Sequence, residues 1–301
     1  MEIKLEIINQ GIKECQDDFI KQCEERYYEQ VYRVADFIRD NCKQRPIILL
    51  SGPSGSGKTT TAHLLEQLLD QSSHETHTLS MDNYFTALSP EQQRLAEQKK
   101  LDLESPDRVD QELLSTQLQA MLEGKSVNLP TFDFVTSSRV YKGNVLTRKS
   151  GELVIVEGIH ALNPDVIRLP EECTVRLYVS VRTRITAPDG SRLHPSRIRL
   201  MRRMLRDRVG RNRPAAQTLR MFDSVQRGEN LYIMPYKHHS MFDIDTLIPY
   251  EIGVYKKELL EELSSLPNPN AVKDILEFLS GCAPLDEQKV PHNSLIQEFI
   301  S

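Results

Sequence analysis

The fold class predicted by the sequence is α/β: an open parallel sheet flanked by helices. Three observations lead there. IILLS (47–51), LVIVEG (153–158) and VRLYVSV (175–181) are largely continuous apolar runs, as strands buried on both faces require. Helix-forming stretches such as HLLEQLL (63–69) lie between such runs. A glycine-rich turn joins the first run to the first of those stretches, so one strand passes directly into a helix.

The remaining elements follow in chain order. Residues 13–42 read as a charge-rich helix anchored by Phe19, Val31, Val34 and Phe37. THTLSM (76–81) reads as a second strand. Residues 89–100 and 110–123 read as helices, the first with Ser89 as cap and Pro90 at its first position. RVYKGNVLT (139–147) reads as a small hairpin turning near Lys142-Gly143-Asn144. RTRITAPDGSRLHPS (182–196) reads as an exposed loop, with His194 a loop residue rather than a catalyst. RIRLMRRMLRDRVGRNR (197–213) is a helix, and DTLIP (245–249) a last short strand. Beyond about residue 254, KKELLEELSSL and AVKDILEFL read as helices broken by Pro267 and Pro269, and Asn293-Ser294 caps a final SLIQEFI turn. The expected division is an N-terminal helical extension (1–45), a central domain (46–250) and a C-terminal helical extension (251–301). Neither extension carries a chemical constellation; both are expected to serve packing or a homo-oligomer.

A formal net charge of -5 argues against a protein that coats nucleic acid generally. Cys15, Cys23, Cys42, Cys173 and Cys282 form no C-x-x-C pair, which reads as reduced thiols rather than disulfides or a zinc site. The first residues lack a secretory pattern and no apolar run approaches spanning length. The expectation is a soluble cytoplasmic protein with no membrane partner.

GPSGSGKT, Gly52 to Thr59, fits G-x-x-x-x-G-K-[ST], the P-loop pattern. Gly52, Gly55 and Gly57 let the backbone curl so that its N–H groups, Ser54 and Ser56 among them, face a polyphosphate. Lys58 reaches the β- and γ-phosphates, Thr59 offers a hydroxyl to Mg²⁺, and Thr60 continues a helix whose positive end points at the same anion. A merely flexible Gly/Ser turn is the competing reading. The expected ligands are ATP and Mg²⁺; the Asn-Lys-x-Asp of a guanine reader is absent. Glu157 ends a strand at the ligand-facing edge, either as the metal-side acid or as a strand-end cap. Asp82 in SMDNYF is either a general base for an acceptor hydroxyl or an Asx-turn residue.

The order of these motifs resembles the uridine kinase and phosphoribulokinase family of P-loop kinases, over roughly residues 46–250. The family's Ser-x-Asp-x-Phe-Tyr falls on Ser80–Phe85, with the aromatics Tyr84 and Phe85 in swapped order. The resemblance makes Asp82 the catalytic base. The family's Phe-Asp-His-Pro-Asp-Ala-Phe-Asp falls on residues 103–110, placing Glu104 where a ribose-binding aspartate stands and matching Pro106, Asp107 and Asp110. Its Pro-x-Tyr-Asp-Phe-x-x-His-x-Arg falls on residues 130–139, retaining Phe134 and Arg139 but putting Phe132 and Ser137 in place of the pyrimidine-reading tyrosine and histidine. Glu157-Gly158-Ile159 matches the family's magnesium-side acid. The implied substrate-binding set is Asp82, Tyr84, Glu104, Phe132, Phe134, Ser137, Arg139 and Arg206, with Thr59 and Glu157 toward the metal and the hairpin as an acceptor subdomain.

The arginine helix admits a nucleic-acid patch, a solvated face or a phosphate clamp. Ile198, Met201, Leu205 and Val209 form one stripe, Arg199, Arg202, Arg203 and Arg206 the neighbouring face, and Gly210 loosens the helix before Arg211 and Arg213. No aromatic interrupts the run to stack bases, so a nucleic-acid partner is not expected. The resemblance makes this a lid over the phosphates, with Arg203, Arg211 and Arg213 on the nucleotide and Arg206 catalytic beside Asp82 and Lys58. Arg202 is expected to pair with an acid, and Arg197 and Arg208 to face water. The implied function is ATP-dependent phosphorylation of a small-molecule hydroxyl, the 5′-hydroxyl of a uridine- or cytidine-like nucleoside. The alternatives are a kinase of another alcohol (sugar phosphate, pantothenate or glycerate) and a nucleotide-binding regulator or RNA-associated protein.

Overall fold

A computed structural model describes residues 1–97, 101–134 and 136–300. The N-terminal segment runs β1 (Glu2–Lys4), α1 (Leu5–Glu14) and α2 (Gln16–Asn41). Then come β2 (Ile47–Ser51), α3 (Lys58–Gln71), β3 (Thr76–Ser80), a 3-10 turn at Met81–Tyr84, α4 (Pro90–Glu97) and α5 (Gln111–Leu122). Next are β4 (Ser126–Asp133), β5 (Ser138–Thr147), β6 (Leu153–Glu157), β7 (Thr174–Ser180), β8 (Arg184–Thr186) and β9 (Arg192–Leu193). The chain ends with α6 (Pro195–Arg211), α7 (Ala215–Tyr232), β10 (Phe242–Asp245), α8 (Glu251–Ser264), α9 (Lys273–Gly281) and α10 (Gln297–Ile300).

The central sheet is parallel throughout, in the order β10-β7-β2-β6-β3. Its continuous apolar strands alternate between two cores. Ile48, Leu50, Ile155, Leu177 and Val179 face one core, with α1, α2, α3 and the C-terminal helices. Ile47, Leu49, Val154, Val156 and Tyr178 face the other, with α5 and the 3-10 turn. Every strand therefore delivers its carboxyl end to the same edge, where Ser51, Ser80, Glu157 and Ser180 emerge. Both terminal segments share the first core, so Ile8, Ile12, Tyr27 and Val31 are buried in one cluster with Leu259, Ile275 and Phe299.

Several elements differ from expectation. The helix expected over 89–100 is described to Glu97, with residues 98–100 outside the described set; Ser89 and Gln92 close a reciprocal capping box. Residues 139–147 are not a hairpin but belong to one strand, β5, which pairs antiparallel with β4. Lys142-Gly143-Asn144 instead forms a bulge opposite Leu129, where Gly143 takes φ +79. The last strand ends at Asp245, where DTLIP begins: the Asp245 carboxylate accepts from the N–H groups of Arg182, Thr183 and Leu247 and stops the ladder. Residues 182–196 are not merely an exposed loop, because β8 and β9 join β1 in a small sheet and bury Ile185 and Leu193. His194 is the cap of α6, its Nδ1 accepting from the Ser196 N–H. On α6 itself Val209 is exposed rather than part of the apolar stripe, and the helix continues through Gly210 to Arg211, ending at Asn212 with φ 47. SLIQEFI contributes helix only over its last four residues.

Candidate active site

The phosphate loop spans the β2–α3 junction. Gly52 and Gly57 are needed there for different reasons. A Cβ on Gly52 would sit 2.0 Å from the Val179 carbonyl oxygen, and Gly57 takes φ +82 as the residue before α3. The Lys58 ammonium donates to the Pro53 carbonyl at 3.3 Å. Burial lowers its pKa, against the pull of Glu157, Asp82 and Glu298. Thr59 is exposed at the helix start. Across the sheet edge, Glu157 is buried and accepts from the Ser80 hydroxyl at 2.7 Å, as their register on neighbouring strands β3 and β6 dictates.

Asp82 stands on the 3-10 turn after β3 and is exposed to solvent. Desolvation and the Glu157 charge push its carboxyl up to about 6, while Lys58, Arg206 and Arg211 pull it down. Glu104 belongs to the same electrostatic neighbourhood: burial raises its pKa, opposed by Arg203 and Lys58 and reinforced by Asp102 and Asp82. Gly228 of α7 passes so close to Glu104 that a Cβ would lie 2.4 Å from the Glu104 Cβ. The structure thus brings Lys58, Asp82, Glu104, Glu157, Arg203 and Arg206 together.

The hairpin is tied to this cleft by the Phe132 N–H, which donates to Asn83 Oδ1 at 3.2 Å. Phe132 is buried, and its ring meets Phe134 at 5.1 Å and Phe85 at 5.7 Å in edge-on contacts, with Phe134 largely exposed. Arg139 is held by Asp110 at 2.8 Å, and Asp110 also caps α5. Tyr84 corrects an expectation. It is fully buried, and its hydroxyl donates to Gln117, so it belongs to the core; Phe85 is the aromatic that faces the hairpin rings. Ser137 sits in the tight turn at φ 50, and Val135 of that motif lies outside the described residues.

The arginine helix divides more finely than its sequence implies. Arg202 is fully buried, as its expected pairing with an acid requires: it grips Glu251 through two bonds and donates to Gly55 and Thr246 carbonyls. Arg199 joins Glu229 to the Ser54 carbonyl, and Arg203 donates to the Ser54 hydroxyl at 3.0 Å. Arg211 and Arg213 turn to Asp207 instead of the phosphate loop. Burial alone would raise the Asp207 carboxyl, but Arg203, Arg211, Thr218 and Arg213 hold it below its usual range. Arg197 and Arg208 do not simply face water; they pair with Asp274 and with Glu258 and Glu262 on the C-terminal helices. Among the described residues, Ser56 Oγ, Arg203 Nε and Arg206 Nε are buried without a hydrogen-bond partner, as are atoms away from the loop such as Arg176 Nε and Tyr255 Oη. Two residues escaped the sequence reading. His160, whose pKa burial lowers to about 4, backs the Glu104 and Tyr232 backbone, and Glu298 reaches Thr60 from the far end of the chain.

A strand–phosphate-loop–helix junction, an acid at the neighbouring strand end and an arginine helix above them define a phosphate-loop α/β protein. The family model "Phosphoribulokinase / Uridine kinase family" matches residues 47–247, and the chain belongs to that family. It is therefore an ATP-dependent kinase. It is 31% identical over 213 residues to uridine-cytidine kinase 2-B of Danio rerio, covering 69% of this chain and 74% of the relative. A uridine kinase of Lactobacillus johnsonii is 29% identical over 210 residues, covering 68% and 87%. A solved structure of a possible uridine kinase from Bacillus stearothermophilus overlaps 72% of this chain and 98% of its own at 15% identity, with a TM-score of 0.48. No helix among the described residues is long and apolar enough to cross a membrane.

Proposed function

We propose that the chain transfers the terminal phosphoryl group of ATP to the 5′-hydroxyl of a nucleoside, in the cytoplasm. The observation that carries the reading is the setting of Asp82. It is a carboxylate with its pKa raised to about 6, in the electrostatic reach of the P-loop lysine and of the metal-side acid. At neutral pH it is ionised yet basic enough to take the acceptor's hydroxyl proton. Lys58 and Arg206 then face the charge that accumulates as the phosphoryl group moves, and Arg203 with Ser54 holds the phosphate loop. Thr59 and Glu157 would hold Mg²⁺, which neutralises polyphosphate charge when bound.

On the acceptor side, Glu104 offers a carboxylate to sugar hydroxyls, and Arg139, fixed by Asp110, braces the hairpin. Phe85, Phe132 and Phe134 offer ring edges and faces to a planar base in place of hydrogen-bonding readers. Such a wall admits more than one base, because discrimination between bases comes from polar groups that a wrong base leaves unpaired. The names of the relatives support a nucleoside acceptor. The test is ADP release from ATP with uridine, cytidine, adenosine and guanosine, set against ribulose phosphate, pantothenate and glycerate. Stimulation by uridine or cytidine is expected; no stimulation by any nucleoside would overturn the reading.

A further inference from the structure

The C-terminal turn is built into the wall of the phosphate-loop cleft. Leu295, Ile296 and Phe299 are fully buried and anchor it. Leu295 lies against the loop itself: a Cβ on Gly57 would come within 2.7 Å of its Cδ1. The Phe299 ring lies beneath the Arg202 guanidinium, 5.1 Å from the ring centroid. Between these anchors Glu298 extends into the seam between α3 and α6. One of its oxygens accepts from the Thr60 hydroxyl at 2.5 Å, and the other from the Arg206 guanidinium at 3.4 Å. The carboxylate is largely enclosed, with 18% of the side chain exposed, while Arg206 Nε remains buried and unpartnered.

We propose that Glu298 is a positioning residue of the nucleotide site, holding Arg206 of the lid helix in register with the first turn of α3. The proposal rests on reading the cleft as a phosphoryl-transfer site. Without this tether, Arg206 has competing carboxylates in Asp82 and Glu157, whose charges occupy the same cleft. A guanidinium collapsed onto Asp82 would be lost to the phosphates and would neutralise the base at once. Glu298 engages one side of the fork and Thr60 fixes the carboxylate, so the guanidinium is held instead of being free to swing onto Asp82. Because Leu295 and Phe299 are core residues, the turn is a fixed wall. The site therefore includes a residue outside the segment that the family model matches.

A double-mutant cycle tests this without any acceptor. Glu298→Ala and Arg206→Met, singly and together, are titrated with ATP by displacement of a fluorescent ATP analogue. Glu298→Ala is expected to weaken ATP binding about tenfold when Arg206 is present, the scale of one lost charge-assisted bond, and to add nothing in the Arg206→Met background. Glu298→Gln, whose amide oxygen still accepts, should stay within about threefold of the unchanged protein. Additive losses, an unchanged affinity or a tighter one would each overturn the proposal; the last is what removal of a competing anion would give. If Glu298→Ala does not fold, Glu298→Asp, too short to reach both partners, replaces it in the cycle and is judged by the same outcomes. A negative nucleoside panel would bear on the acceptor alone and leave this binding test standing.

Discussion

Asp82→Asn should abolish turnover while making the protein more stable. The folded protein holds this carboxyl at about 6 instead of its ordinary 3.8, chiefly by desolvation and then by Glu157. Two consequences follow. A base of that strength is about 90% ionised at pH 7 and about 10% at pH 5, so kcat/KM should fall about tenfold between them. For stability the sign is opposite. The folded state binds this proton more readily than the unfolded chain does, so Asp82 erodes stability as pH rises from about 4 to about 6, and the cost is fully present above that. At face value the shift is worth about 3 kcal/mol at pH 7. Asp82 is exposed to solvent, and screening reduces the figure to about 1 kcal/mol or less. The neutral asparagine should therefore raise Tm by about 2 °C at pH 7, with the gain fading toward pH 4. Turnover should drop by at least about a hundredfold with ATP affinity little changed. ADP release against pH, nucleotide titration and thermal unfolding at the two pH values read these effects. An acid limb centred below pH 5, an asparagine variant less stable at pH 7, or one turning over normally would refute the reasoning.

Two further perturbations address the frame around the cleft. Glu251→Gln leaves the Arg202 guanidinium fully buried without a counter-charge, and should cost about 3–5 kcal/mol in denaturant unfolding; a loss below about 1 kcal/mol would show the pair to be dispensable. Gly228→Ala puts a methyl group 2.4 Å from the Glu104 Cβ, so Glu104 must shift or α7 must lift. The acceptor KM should rise about tenfold, as expected for a misplaced substrate ligand, with ATP affinity unchanged; an effect confined to ATP would move Glu104 to the nucleotide side.

What was legible in the sequence was local. The buried parallel strands announce themselves as apolar runs, and the phosphate loop is a contiguous eight-residue pattern whose geometry needs those glycines. What was hidden depends on contacts between distant residues or on one backbone angle. Lys142-Gly143-Asn144 has turn chemistry, but its left-handed glycine serves a bulge, while the true turn uses Ser137, a residue type that does not advertise φ 50. The 3-10 turn after β3 decides that Tyr84 points into the core and Phe85 toward the hairpin, which the swapped order of two aromatics could not reveal. β1 pairs with a strand about 180 residues away, and Glu298 meets Thr60 across a separation of 238, so neither leaves a local signal.

The arginine helix shows how a local charge run can mislead. Eight arginines lie between Arg197 and Arg213 in a chain of net charge -5, and each has a carboxylate within 4 Å. Six of those pairs anchor the helix: Arg197, Arg199, Arg202 and Arg208 reach acids on α7, α8 and α9, and Arg211 and Arg213 fold back on Asp207. Charge bound up in internal pairs is not displayed as a patch for a polyanion. Arg203 and Arg206 differ, because each keeps a buried Nε without a hydrogen-bond partner, the Arg203 Nε lying 3.7 Å from Asp207. An unmet donor on a buried guanidinium is costly unless a ligand completes it. Arg203 already touches the phosphate-loop serine, and Arg206 is tied through Glu298 to the first turn of α3. The number of arginines therefore says little about what the helix binds; what separates Arg203 and Arg206 from the other six is their place, one on the phosphate-loop serine and the other tied to the first turn of α3.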